Sequence, residues 1–267
     1  MTSPDNYKMF AIISEARTGS TVLSHKLGLL EGVGCHGEIF HPDKIHSGLE
    51  GHPDTSVRRR DPVGFLQTMM DLAYEQKGQS SIIGFKLFFD HNRAITRFLI
   101  DQKIPIVLLE RENKLAQYSS LKIAKKTGKW HSKQKLSKPQ EEKNKLEGKK
   151  VSFSLLEFVA FSARSQFRFQ GFISKIKKQH APYLHVTYES MFNEKNWLQI
   201  LQFLSIQVEA TKADSTLEKQ NSEPLLERFS NPKYAECCCK LLNGIPWLST
   251  TVNVDLDSLL TEKSSCS

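Results

Sequence analysis

Residues Met9 to Ser14 (MFAIIS) form a short apolar run that ends on a small polar turn, Glu15 to Ser20. From that turn departs TVLSHKLGLL, in which Val22, Leu23, Leu27 and Leu30 recur at helical spacing. A buried strand, a glycine-containing turn and an immediate helix open an α/β nucleotide-binding architecture, and few other folds accept that order. The alternation continues downstream. Strands are expected at Ile82 to Phe88, at Pro105 to Glu110 (PIVLLE) and at Tyr183 to Thr187. Helices are expected at 62–76, near 92–102, and from the end of PIVLLE to a stop at Gly128. Further helices are expected at 151–179, 197–204 and 223–242. In the longest of these, Phe158, Phe161, Phe169, Phe172, Ile173 and Ile176 share one face, a core-packing pattern. Residues 32–62, rich in Gly, His, Pro and Asp, read mainly as loop. Strands alternating with helices predict an α/β fold, a mainly parallel sheet flanked by helices.

With 267 residues the chain can bury a sizeable core without help from disulfides or metal. Its five cysteines, three of them adjacent at Cys237, Cys238 and Cys239, make no CxxC pair, and the triplet reads as packing in a helix. No pair of His, Cys or Asp has convincing ligand spacing, so no metal is expected. No stretch approaches the roughly 18 apolar residues of a membrane span, and MTSPDNYKMF lacks the basic start and apolar run of a signal peptide. A soluble, cytoplasmic chain is therefore expected. The formal net charge of +8 is local: residues 121–150 hold eleven lysines against three glutamates, which equals the whole excess. This points to an exposed lysine-rich loop or insertion near 131–150 rather than to a generally basic surface, and makes nucleic acid an unlikely partner. The expected organisation is one domain over 1–250, with a tail at 251–267.

Ser14 to Thr21 reads SEARTGST. The Arg17 guanidinium, the hydroxyls of Thr18, Ser20 and Thr21, and backbone N–H groups exposed by Gly19 crowd at one helix N-terminus, whose own N–H groups and positive dipole end point the same way. That is an anion cradle, although a plainly capped helix start has the same composition. A Walker A loop would place a lysine after the glycine, and none is there. A second anion signal is Arg111, just past PIVLLE, with Ser119 and Ser120 on the following helix. Strand ends of a parallel sheet face its ligand crevice, so a cofactor with phosphates at both ends of a nucleoside could use both signals.

These motifs resemble those of sulfotransferases that use 3′-phosphoadenosine 5′-phosphosulfate (PAPS), specifically the bacterial carbohydrate type represented by trehalose 2-sulfotransferase. Ser14 to Thr21 is similar to that family's first loop, with Glu15 and Ala16 at variable positions; CHGEIFHP, GFKLFF, KLAQYSSLKIAKKTGKW and LLERFSNPKYAE add to the likeness, which covers roughly residues 9–242. The resemblance implies a P-loop NTPase-like sulfotransferase fold, PAPS as co-substrate without metal, a sugar or glycoconjugate acceptor, and a possible homodimer. It implies that Arg17, Thr18, Gly19, Ser20 and Thr21 hold the 5′-phosphosulfate. Arg111, with Ser119 or Ser120, would hold the 3′-phosphate. Here Arg111 is followed by Glu112 and Asn113, where the family often has Asp or Arg with Pro. Carboxylates at 110 and 112 suit a dianion only if they point away.

Transfer to an alcohol needs a base near the sulfur, and the candidates in CHGEIFHP are His36, Glu38 and His41. The family counterpart points to Glu38, with His41 the alternative. Lys86 lies inside an otherwise apolar strand and either reaches the phosphosulfate or leaves the sheet edge for water. Tyr188 and Glu189, past the fourth strand, either border the pocket or cap the next segment. Two other readings compete: a polyanion- or nucleic-acid-binding protein using the lysine-rich segment, and a P-loop-like kinase.

Overall fold

The structure, a computed structural model, describes residues 7–76, 81–130, 150–207, 224–243, 245 and 248. Most of the lysine-rich stretch (131–149) and the tail at 251–267 lie outside the described residues. The chain forms two compact units: residues 1–112 with 164–218, and residues 113–163 with 219–267.

The first unit is built on strands β1 (Lys8–Ser14), β2 (Val33–His36), β3 (Ile82–Phe88), β4 (Ile106–Glu110) and β5 (Tyr183–Thr187), ordered β2-β3-β1-β4-β5. Every pairing is parallel, with Ile12 beside Lys86 and Val107, and Ser14 beside Phe88 and Leu109. Five parallel strands flanked by helices confirm the expected fold class. The runs are near-continuously apolar because both faces are covered. On one face Met9, Ala11, Ile13, Ile83, Phe85, Leu87 and Leu108 pack under α3 (Pro62–Gln76), α4 (Arg93–Asp101) and the second half of the long helix α6 (Leu155–Lys178). On the other, Phe10, Ile12, Val107, Leu109 and Val186 pack under α1 (Ser20–Leu27) and α7 (Glu194–Phe203). Gly84 lets the Phe10 ring lie flat on β3, where any Cβ would strike it.

Two departures from expectation fall in 32–62. The stretch contains β2, which gains its place only by pairing with β3, and α2 (Thr55–Arg60), capped by Asp54 accepting from the Ser56 and Val57 N–H groups. The chain leaves β1 toward β2 on one side and reaches β4 on the other, so the strand order reverses beside β1. Ligand crevices form at the C-terminal strand ends at such a point.

The second unit holds α5 (Lys114–Thr127), the first half of α6, a 3₁₀ turn (Leu226–Arg228) and α8 (Pro232–Leu241) around Leu115, Tyr118, Phe153, Phe158 and Phe229. Cys238 and Cys239 are buried in this core, as packing predicts, whereas Cys237, the third of the triplet, is exposed. The single helix expected over 223–242 is instead the 3₁₀ turn and α8, because Pro232 takes the first helical turn of a new helix. The phenylalanine face of α6 likewise divides: Phe158 serves the second core, and Phe169, Phe172 and Ile176 serve the first.

Candidate active site

The turn after β1 is held in a conformation that ordinary sequences avoid. Arg17 has φ 66° and Gly19 φ 86°, both left-handed. For the arginine this costs about 1–2 kcal/mol. Two bonds hold it there: Thr18 Oγ1 donates to the Glu15 carbonyl at 2.9 Å, and Arg111 Nη1 donates to the Arg17 carbonyl at 3.1 Å. Thr18 is fully buried, so its hydroxyl shapes the loop from inside. Gly19 lies under the Tyr188 ring, which leaves no room for a Cβ. The first turn of α1 carries no side-chain cap and no acidic residue, so its N–H groups remain for a ligand or water.

Arg17 and Arg111 thus meet at the ends of β1 and β4. Burial first, then repulsion from Arg111, pulls Arg17 down to about 10. Burial also lowers Arg111, opposed by Tyr188 and Glu189. The Arg111 guanidinium stacks 4.7 Å above the Tyr188 ring, and its buried Nε has no hydrogen-bond partner among the described residues; nor has the buried Ser14 Oγ one strand away. Like charges brought together with unmet donors are costly in an apolar setting and inexpensive around an anion. The neighbouring carboxylates are engaged elsewhere: Glu110 Oε2 lies 3.0 Å from His185 Nε2 on β5, and Glu112 is exposed. Glu189 accepts from the Glu112 N–H at 3.0 Å. Ser119 and Ser120 are buried on α5 in the second unit, where Ser119 Oγ donates to the Ala116 carbonyl.

On the α1 face of the sheet, Lys86 is 3% exposed. The alternation that sends Phe85 and Leu87 to one face sends Lys86 to the other, beneath the α1 N-terminus. It therefore does not leave for water. Its Nζ donates to Thr21 Oγ1 at 2.7 Å and lies 3.1 Å from Glu38 Oε1, two partners that offset the cost of burial. Burial is the leading cause of its lowered pKa, with Glu38 opposing. The Lys86 N–H bonds the Gly37 carbonyl, which extends the β2–β3 pairing and sets Glu38 beside Lys86.

The loop carrying Glu38 and His41 is pinned by Arg58, whose guanidinium donates to the carbonyls of Ile39, Pro42 and Lys44 at 2.8–3.0 Å. His41 packs edge-on against His46 and His91 at 5.2 and 5.7 Å. Partial desolvation lowers both His91, which is half-buried, and His46, although its ring is exposed, against the pull of Glu38. His41 Nδ1 accepts from the Asp43 N–H at 3.3 Å, which leaves the neutral ring's proton on Nε2. In that tautomer Nε2 is a donor, whereas Glu38 Oε2, with Oε1 turned to Lys86, is an acceptor. His36 is buried with Nδ1 3.0 Å from the Ser47 carbonyl.

Behind the loop, Glu15 accepts from Ser165 Oγ at 2.6 Å and lies 3.7 Å from Arg168 on α6. Sequence reasoning passed over Arg58, His46, His91 and this network. Only the two histidines left a trace, in the histidine-bounded HPDKIH and in FFDH. Among the described residues, no cluster of His, Cys, Asp and Glu could hold a metal ion and no helix is long and apolar enough to cross a membrane.

No protein-family model matches the chain, and no curated protein matches it. Among solved structures the chain is similar to mouse sulfotransferase SULT7A1 complexed with PAP, with TM-score 0.46 and 12% identity over 97% of this chain and 91% of that one. A likeness that weak says nothing about the reaction.

Proposed function

We propose that the protein is a PAPS-dependent sulfotransferase acting on a hydroxyl of a carbohydrate or glycoconjugate. The observation that carries this reading is the convergence of Arg17 and Arg111, with unmet donors and an uncapped helix start, at adjacent ends of β1 and β4. In the proposed reaction the acceptor oxygen bonds to sulfur as the sulfur–oxygen bond to the 5′-phosphate breaks. The electron pair goes to the phosphate oxygen, and the acceptor proton goes to Glu38. Arg17, Ser20, the α1 N–H groups and Lys86 would stabilise charge on the leaving phosphate, and Arg111 the 3′-phosphate. Lys86 ties the two halves of this chemistry together, because one ammonium touches both the phosphate loop and the base.

Calorimetric titration with PAP in the presence of a chelator tests the reading. Binding without magnesium, weaker for AMP, supports it; binding of Mg·ATP with indifference to PAP points to a kinase instead. The polyanion reading keeps one observation of its own. Lys122, Lys125, Lys126 and Lys150 line an open cleft of about 690 Å³ in the second unit. Steeply salt-dependent RNA binding, lost when these lysines are neutralised, would favour it.

A further inference from the structure

We infer that Arg168, on the second half of α6, is a positioning residue for the anion cradle after β1. With Ser165 it holds the Glu15 carboxylate on the α6 side of the sheet, where it does not oppose an anion bound at the start of α1. This builds on the proposed reading of the turn as the phosphosulfate site. Glu15, Asp90, Ser165 and Arg168 all lie in the first unit.

An acidic residue inside SEARTGST works against a cradle of positive charge. Glu15 stands two positions before Arg17 and is buried. Without a cation of its own, a buried carboxylate there would draw on Arg17 or repel the incoming anion. The sheet decides where it goes. Ile12 packs with Leu23 and Leu27 of α1, and Ile13 packs with Phe169 and Phe172 of α6. The same alternation, carried past Ser14, sends Glu15 toward α6. There Oε2 accepts from Ser165 Oγ at 2.6 Å, and Oε1 lies 3.7 Å from Arg168 Nη1. Ser165 and Arg168 are three positions apart, so one helical face presents both. The second nitrogen of the guanidinium, Nη2, lies 3.7 Å from Asp90 Oδ2. Ser14 and Phe88 are paired, so Glu15 and Asp90 follow neighbouring strand ends, and one planar fork spans both turns. The Asp90 side chain is 64% exposed and that of Glu15 10%, so the contact with Glu15 carries most of the effect.

Calorimetric titration of the full chain with PAP, and with pyrophosphate as a bare anion, tests this. Arg168→Met keeps the reach of the side chain and removes its charge. It should weaken both probes at least about tenfold, because a buried carboxylate is left uncompensated beside the anion. Adding Glu15→Gln to that variant should return both affinities to within about threefold of the wild type, since a neutral amide still accepts from Ser165 and needs no cation. Circular dichroism on each variant verifies that the fold is kept. Unchanged affinities in Arg168→Met overturn the positioning role. So does a loss that Glu15→Gln does not relieve, because an arginine that only packs α6 is not rescued by removing a carboxylate. The proposed function fails separately: a wild type that binds pyrophosphate and ignores PAP removes the PAPS reading, and the pyrophosphate arm still decides the role of Arg168. A wild type that binds neither overturns both.

Discussion

At the ends of β1 and β4, Arg17 and Arg111 are half-buried, close together and linked by a named bond, whereas Lys122, Lys125, Lys126 and Lys150 line an open cleft and account for part of the chain's charge excess. Lys122 is already taken by Glu157 at 2.6 Å, and Lys126 donates to the Lys150 carbonyl at 2.7 Å. The cleft has more charge and the loop has more field. Exposed ammonium groups are screened by water and salt, while desolvated guanidiniums held in one geometry cost nothing further to orient when an anion arrives. Under the proposed function, net charge marks a different part of this molecule from the one that carries the chemistry.

The largest effect that would break this contrast is expected at Glu38. Glu38→Gln keeps a hydrogen-bond acceptor for Lys86 but cannot take the acceptor's proton, so transfer with labelled PAPS should fall about 10²-fold or more with PAP affinity nearly unchanged. Near-normal turnover in this variant, with His41→Ala inactive, would move the base to the histidine. Next comes Arg17→Ala, expected to weaken PAP by about 1.5–3 kcal/mol, read by calorimetry. Arg111→Ala also releases the Arg17 carbonyl, so it should weaken PAP by a comparable amount, and it should erase the preference for PAP over AMP. Equal weakening of both nucleotides would make Arg111 a residue that only shapes the loop.

A smaller effect tests the loop carrying Glu38 through pH. His46 and His91 have folded pKa values below their ordinary 6.5, chiefly from burial; Glu38 opposes the shift in both and Asp90 in His91, while His41 and Lys86 add to it in both and Lys44 in His46. The unfolded chain then binds more protons around and below that value, so stability rises with pH through the window and is lost as pH falls. Thermal unfolding from about pH 8 to about pH 5 should show this loss in the wild type and less of it in His91→Asn. The smallest effect is expected at the cleft: Lys125→Gln with Lys126→Gln should leave PAP affinity within about twofold, since exposed charges are screened by water and salt. A large loss there would erase the contrast.

By itself the sequence determined the elements whose signal is local. The apolar runs of β1, β3, β4 and β5, the SEARTGST turn and the helical spacing after it were legible because a strand or an amphipathic helix writes its period into consecutive residues. Strand β2, only VGCH, has no such period and exists because Gly32 to His36 can pair with β3. Tertiary structure alone decided the site. Whether Lys86 faced water or the turn after β1 depended on which face of the sheet α1 covers, and its bond to Thr21 spans 65 positions. The Arg111 bond that holds the turn spans 94. Arg58 sits in a run of three arginines within the stretch that reads mainly as loop, yet its guanidinium is buried and pins the loop carrying Glu38. Burying a charge is favourable only where partners from distant strands arrive together, and strand order, which no local pattern encodes, decides which partners those are.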